Sequence, residues 1–392
     1  SACSLFVPRS PPAMKNDKVA PNETTFNTLI KGAGRAGRID EAFDILTEMR
    51  QHNCLPNHVT KNSLIDACMR VGLWNRACEI LEGMMSNENE RRYAVVGYTA
   101  VCAGMVKVGR SIEGLGLMDE MQSRGVPPDV VTYNSMINAL LSSGQVDQAR
   151  KLYHDAVTYF GARQGTCGTM IVGLCGTGEE KFIREAEILL QDAPRFLSCY
   201  NAVIDGYVKI GLMHDAERVF AAMKEHKNPN VITYTTLFDG YGRDRDLPNA
   251  LRLFNEMCKS KISPDLVAFN ALISSFVRCG NVQMAVEIYD EMAVRNGAIT
   301  PDIKTYSILV QGQLFEGFFE SGWELFDTMI ERGLLPNERM LSSMMKKASE
   351  VERVDTYTLW RILREMRAIG MAESQVDRWE ERVQKKVSTD KI

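Results

Sequence analysis

The sequence predicts an all-α fold: a right-handed α-solenoid superhelix of about ten helix-turn-helix repeats, each about 35 residues long. Three observations lead there. A recognisable word returns at nearly equal steps, its apolar residues follow a period of 3.6, and a Gly or Pro stands wherever a helix has to stop. The word at Asp129 to Ala149, "DVVTYNSMINALLSSGQVDQA", comes back as "TTFNTLIKGAGRAGRIDEA", "LSCYNAVIDGYVKIGLMHDA" and "LVAFNALISSFVRCGNVQMA". Units counted from four residues before the recurring Asn, Thr or Ser begin at Glu23, His58, Val95, Val130, Gln164, Leu197, Val231, Leu266, Ile303 and Glu338. They are called repeats 1 to 10, and their spacings are 35, 37, 35, 34, 33, 34, 35, 37 and 35.

Each unit is read in the same order. A first amphipathic stripe, such as Tyr133, Met136, Ile137 and Leu140, precedes a glycine, and a second stripe, such as Val146, Ala149 and Leu152, follows it. The glycine recurs as Gly37, Gly72, Gly109, Gly144, Gly178, Gly211, Gly280 and Gly317, where a helix end calls for a left-handed residue. Ala42, Ala77, Ala149, Ala216, Ala250 and Ala285 allow the second helix a close approach to the first. Met49, Met84, Met121, Met223, Met257, Met292 and Met329 read as core filler near its end. Most units close on Pro with Asp or Asn, at Asn57, Asp129, Asn230, Asp265, Asp302 and Asn337: proline stops one helix and the polar residue caps the next. A lone hairpin cannot bury its apolar face, so the units must stack, with first helices expected on the concave side.

This divides the chain into an extension over 1–22, an array over 23–372 and a C-terminal capping helix and tail over 373–392. The extension reads as disordered, or as the remnant of a targeting segment or a preceding repeat; Arg9, Lys15, three serines and no acid in the first 16 residues faintly resemble the tail of an organelle transit peptide. The charged "ESQVDRWEERVQKKV" would cover the last hairpin with a polar outer face.

Composition excludes several classes. Hydrophobic residues make up 45% and charged residues 24% of 392, and no apolar run approaches the roughly 20 residues that span a bilayer. The ten cysteines include no CxxC pair, and His52, His58, His154, His214 and His226 lack zinc-ligand spacing, so neither metal nor cofactor is expected. Cys68, Cys102, Cys175 and Cys279 read as small buried hydrophobes. A net charge of −4 argues against indiscriminate coating of nucleic acid but leaves room for a local basic stripe.

The stretches "VVTYNSMINALLSSGQVDQARKLY" and "VITYTTLFDGYGRDRDLPNALRLFNEMCKSKISPD" closely resemble pentatricopeptide repeats: an aromatic-Asn start, a helix-breaking Gly, "EM" near the end and a closing "PD". The tetratricopeptide repeat, of similar length, wants a Trp and a Leu-Gly pair in its first helix, and neither recurs. The resemblance implies single-stranded RNA as partner, one base per repeat, read by a few side chains on the concave wall. It also accounts for a short polar residue at one helical position, where a core would be better served by an apolar one.

Carried over residue by residue, the resemblance pairs the fifth residue of a unit with its closing residue. Thr99 with Asp129 and Thr235 with Asp265 match the guanine type, and Asn270 with Asp302 the uracil type. Ser307 with Asn337 resembles the adenine type, while Asn27 with Asn57 and Asn201 with Asn230 match pyrimidine types. Repeats 6 to 9 then imply a pyrimidine-G-U-A core. Asn62 with Ala94, Asn134 with Arg163, Gly168 with Phe196 and Ser342 with Ala372 fit no defined pair.

Position thirteen carries Arg35, Arg70, Lys107, Lys209, Arg243 and Arg278. Such residues complement a helix C-terminus, but their alignment along one edge favours phosphate contacts. The second residues Thr24, Val59, Val96, Val131, Ser198, Ile232 and Val267 are expected to pack against base faces. The resemblance implies action by site occupancy in organellar RNA processing, stability or translation, in a mitochondrion or chloroplast, with other RNA-processing or ribosomal proteins as further partners. The alternative is a non-enzymatic scaffold that holds a peptide or serves as a subunit of an organellar ribosome or polymerase. Catalysis is not expected: no H-x-E with paired cysteines follows Ala372, and "GAGRAG" at Gly32 to Gly37 sits at an interhelical turn with no preceding strand.

Overall fold

A computed structural model of the protein describes residues 21–161, 164–192, 196–226, 228–294, 299–350 and 356–389. All but the last two residues of the 1–22 extension, together with Arg163, lie outside them. Among the described residues every regular element is a helix, and the array is an α-solenoid of stacked hairpins. Two compact units divide the chain, 1–199 and 200–392.

In the first unit the hairpins are Glu23–Arg35 with Ile39–Gln51, His58–Arg70 with Trp74–Met85, Ala94–Lys107 with Ser111–Ser123, Val130–Ser142 with Val146–Phe160, and Gln164–Gly176 with Glu180–Asp192. Each first helix packs on its own second helix, and those of repeats 1 to 4 pack on the next first helix as well. The helix Leu197–Lys209 crosses the division and leads into Met213–His226. The second unit continues with Val231–Asp244 and Leu247–Lys259, Leu266–Arg278 and Val282–Val294, Ile303–Glu316 and Phe319–Glu331, Glu338–Glu350 and Thr356–Ala368. Glu373–Thr389 then packs on both helices of repeat 10, burying Val376 and Val383.

The helix starts follow from capping chemistry. Asp129 accepts the backbone N–H of Thr132 at 2.8 Å, and Asn57, Asn230, Asp265, Asp302 and Asn337 do the same for their own third residues. Repeat 3 departs from the expected start at Val95: its first helix begins at Ala94, behind Tyr93, which makes no side-chain cap. A four-residue helix, Glu88–Arg91, fills the extra length before it.

The stops follow from backbone freedom. All eight predicted turn glycines have φ between 72° and 87°. At Gly144 the turn is closed by the Gln145 N–H donating to the Leu140 carbonyl at 2.9 Å, the six-to-one bond of a Schellman motif. Repeat 7 has no glycine there, and Arg245 adopts φ 59° instead, a conformation that costs a residue with a Cβ about 1 kcal/mol. The six small alanines and the seven recurring methionines of the second helices are fully buried. They let the hairpin halves close and fill the space left between them.

Candidate nucleic-acid interface

The first helices carry the candidate residues on a face that the core leaves open. At the second position Val59, Val96, Val131, Ile232 and Val267 are all 45% to 64% exposed, and Thr24 and Ser198 are exposed too. Five branched aliphatics exposed at one register are unusual, because each could have been polar without loss to the hairpin core. In the first unit a pocket of about 720 Å3 is lined by Asn62, Asp66, Arg70, Val96, Thr99, Lys107, Asp129 and Val131, with further residues of repeats 2 to 4. It brings together seven of the side chains singled out from the sequence. The apolar second residues, the polar fifth residues, a closing carboxylate and two cations therefore share one wall.

The fifth-position side chains do more than face the groove: they bridge repeats. The Thr60 hydroxyl, at the third position of repeat 2, donates to Asn27 Oδ1 of repeat 1 at 2.6 Å. Thr233 donates to Asn201 Oδ1 at 2.7 Å, and Thr305 to Asn270 Oδ1 at 2.7 Å. Thr99 and Thr132 meet at 2.7 Å in the same geometry. These four third-position threonines are fully buried. In repeats 2, 7 and 9 the threonine hydroxyl also accepts the N–H of the closing residue, completing a capping box around Asn57, Asn230 and Asp302. On the outer side Asn201 donates its amide to Asn230 Oδ1 at 3.3 Å, and Asn270 donates to Asp302 Oδ1 at 3.2 Å.

This seam corrects the expectation that all fifth residues stand open in a groove. Asn27, Thr99, Asn201, Thr235 and Ser307 are half-buried, and Asn270 is only 3% exposed, because Thr305 and Asp302 close over it. The accessible group of that pair is the half-buried Asp302 carboxylate. Burial pushes the Asp302 carboxyl up, but bonds from the Thr305 amide and the Asn270 amide, the Thr305 hydroxyl proton shared with Asn270 Oδ1, and the charge of Lys304 outweigh it, leaving its pKa below the usual range. The exposed Asp129 and Asp265 keep one oxygen on the N-cap bond. Thr235 donates back to the Val231 carbonyl, and Ser307 lies 3.5 Å from Met340 Sδ. Asn337 is exposed and caps repeat 10.

Two asparagines have no such seam. Asn62 donates to the Tyr93 carbonyl, but its Oδ1 is buried without a partner, since Gly97 lies where a neighbouring donor would be needed. Asn134 Oδ1 and Thr166 Oγ1 are likewise buried without hydrogen bonds; the residue that would close this unit, Arg163, lies outside the described residues.

The basic edge is partly neutralised. Arg70 pairs with Asp66 at 2.9 Å and Lys209 with Asp205 at 2.6 Å, while Arg243 and Arg278 both reach Asp239, at 2.6 and 2.8 Å. Arg35 and Lys107 have no ion pair among the described residues. All six cations are exposed. The sequence reading missed the acids because it examined position thirteen alone, whereas the residue one turn earlier decides how much charge is left over. It missed the third-position threonines for a related reason. The recurring "VTYN", "ITYT" and "KTYS" carried the signal, but a buried Thr beside a capping residue reads as part of the cap.

Hairpins of this length, with this aromatic-polar start and closing cap, define a class of helical-repeat protein. The PPR repeat family matches residues 21–70, 94–142, 128–158, 197–241, 229–267 and 264–314, and its single-repeat form matches 59–88 and 304–334. The chain belongs to the pentatricopeptide repeat family. It is 25% identical over 286 residues to a chloroplastic pentatricopeptide repeat-containing protein of Arabidopsis thaliana, covering 71% of this chain and 32% of that one. A mitochondrial member from the same plant is 36% identical over 113 residues, covering 29% and 21%. The chain thus spans about a third or less of these relatives. Among solved structures, the pentatricopeptide repeat protein PPR10 in complex with an 18-nt psaJ RNA element aligns with 20% identity and a TM-score of 0.46, over 91% of this chain and 62% of that one. Among the described residues no helix is long and apolar enough to cross a membrane.

Proposed function

We propose that the protein is a sequence-specific single-stranded RNA binder that reads one base per repeat and acts by occupying its site, without catalysis. The observation that carries this reading is the first-unit wall, where exposed Val96 and Val131 flank Thr99, Asp129 and Asn62 within reach of Arg70 and Lys107. Unstacked bases need apolar faces to lie against, donors and acceptors at their edges, and cations along the backbone. In the second unit Asn201 with Asn230, Thr235 with Asp265, Asn270 with Asp302 and Ser307 with Asn337 correspond to a pyrimidine-G-U-A core. Family membership, and relatives named chloroplastic and mitochondrial, support a role in organellar RNA processing, stability or translation.

Selection of bound RNAs from a random pool tests the reading directly. Enrichment of G-U-A preceded by a pyrimidine supports it; equal binding of a scrambled RNA refutes base-specific recognition. The ion pairs on Asp66, Asp205 and Asp239 favour a second reading, a scaffold or ribosomal subunit with little RNA affinity of its own. Recovery in a stoichiometric protein particle, with no RNA enriched in the selection, would support that one.

A further inference from the structure

The asparagines at the fifth position fall into two groups. Asn27, Asn201 and Asn270 give their carbonyl oxygen to a buried threonine of the following repeat, whereas Asn62 and Asn134 leave the same oxygen buried and unpaired. The difference matters because an amide has two ends of opposite character, a donor and an acceptor, which exchange places on a half-turn of the terminal torsion. An asparagine free to turn can satisfy either kind of base edge. One whose orientation is fixed cannot.

The orientation is fixed by a chain of commitments. Asn230 Oδ1 accepts the Thr233 backbone N–H at 3.1 Å, and Asp302 Oδ1 accepts that of Thr305 at 2.8 Å, so each closing residue must present an acceptor to the asparagine beside it. Asn201 and Asn270 answer with Nδ2. Their carbonyl oxygens then point to the threonine hydroxyls, each of which directs its single proton between the asparagine Oδ1, at 2.7 Å in both seams, and the closing residue's Oδ1, at 3.0 Å for Asn230 and 2.8 Å for Asp302. Each amide has one N–H left over. Asn230 keeps its own amide nitrogen as a further donor, and Asp302 keeps a carboxylate oxygen as an acceptor. The two pairs therefore differ in what they offer a base, donor with donor in repeat 6 and donor with acceptor in repeat 8, only as long as the first amide does not turn.

We propose that Thr60, Thr233 and Thr305 are specificity-determining positioning residues: each holds the asparagine of the preceding repeat in its donor orientation and so sharpens base choice by a repeat to which it does not belong. This rests on the RNA reading above. Repeat 2, whose asparagine meets Gly97 where the other seams have a threonine, discriminates poorly on the same grounds. Without the hydroxyl the amide oxygen is buried and unpaired, a state relieved by turning or swinging toward the groove.

The test uses the full chain and a synthetic single-stranded RNA containing pyrimidine-G-U-A, made with each of the four bases at the nucleotide opposite Asn201. Thr233→Val keeps shape and removes the hydroxyl; Thr233→Ser restores it. The expected result is that Thr233→Val loses about fivefold or more of its discrimination at that nucleotide, the equivalent of one net hydrogen bond. Choice at the nucleotide opposite Ser307 should stay unchanged, and Thr233→Ser should recover the wild-type pattern. A merely destabilising change would weaken all four RNAs alike, and circular dichroism melting checks that each variant is folded. If Thr233→Val binds RNA with unaltered discrimination, the positioning role is overturned while RNA recognition stands. If the wild-type chain binds none of the RNAs, the RNA reading itself falls, and this role with it.

Discussion

The Thr305 hydroxyl donates to Asn270 Oδ1 at 2.7 Å across the seam between repeats 8 and 9, and the two side chains are 0% and 3% exposed. A residue picked out from the sequence as a base reader is thus also a joint between hairpins. Its loss should be felt in stability as well as in binding. Asn270→Ala removes both this bond and the one to Asp302 and is expected to destabilise the fold by about 1–3 kcal/mol. Asn134→Ala, which deletes an oxygen that had no partner, should cost clearly less or be neutral. Urea unfolding of the two variants compares them; equal losses would show that the seam bond contributes nothing beyond packing.

The Asp302 carboxyl gives a pH expectation. Its folded pKa lies below the ordinary value, so its contribution to stability is fully present above the unfolded pKa and is lost as pH falls through the lower, folded one. Between pH 8 and about 5 the carboxylate stays ionised, and neither stability nor uridine preference at repeat 8 should change on its account. Asp302→Asn replaces the outward acceptor with a donor and should shift that preference from uridine towards cytidine at every pH in this range. Anisotropy titrations with the two RNAs at pH 5.5 and 7.5 provide the measurement. A uridine preference that survives in Asp302→Asn would show that the carboxylate does not read the base.

Close approach between first helices sets a third expectation. A Cβ added to Gly242 would lie 2.2 Å from Ser275 Oγ and 2.8 Å from its Cα, and the latter contact no rotamer can relieve. Ser275 is itself fixed by its bond to the Phe238 carbonyl. Gly242→Ala should therefore destabilise by about 1–3 kcal/mol from overpacking, even after the gain in helix propensity of roughly 1 kcal/mol. Gly116 has open space around its Cβ direction in the helix Ser111–Ser123, and Gly116→Ala should stabilise by about 0.5–1 kcal/mol. Opposite signs in thermal melting are expected.

The array was legible in the sequence because its boundaries are chemical. Nine of the ten first helices begin at the residue read from the repeat, each where the expected start holds; the exception slips by one, to Ala94, where no Asp or Asn caps it and the helix Glu88–Arg91 intervenes. Exposure of the second-position aliphatics and burial of the alanines and methionines follow from the same periodicity. Arg245 in a left-handed conformation was hidden, since no glycine marks it. So were the bonds from Thr60, Thr233 and Thr305 to the preceding repeats. They join residues more than thirty positions apart, and a pattern read one unit at a time cannot see them.

Charge along the groove edge carries the last prediction. Six position-thirteen cations taken alone imply a log–log salt slope of magnitude near 4 for RNA binding, at roughly 0.7 per phosphate neutralised. Asp66, Asp205 and Asp239 offset about half of that charge, and a slope nearer 2 is expected instead. Asp239 is the most informative of the three because it holds both Arg243 and Arg278. Asp239→Asn keeps the side chain's size, removes its charge and leaves the two guanidiniums to phosphate. Surface ion pairs of this kind contribute little to stability, so the fold should barely respond, by less than about 1 kcal/mol. RNA affinity, in contrast, should rise at low salt and the slope should steepen by about 0.7 for the charge released. Lys107→Ala and Arg35→Ala should flatten the slope, because those cations have no ion pair among the described residues to give up. If affinity and slope in Asp239→Asn match the wild type, the Arg243 and Arg278 edge does not lie along the phosphate path.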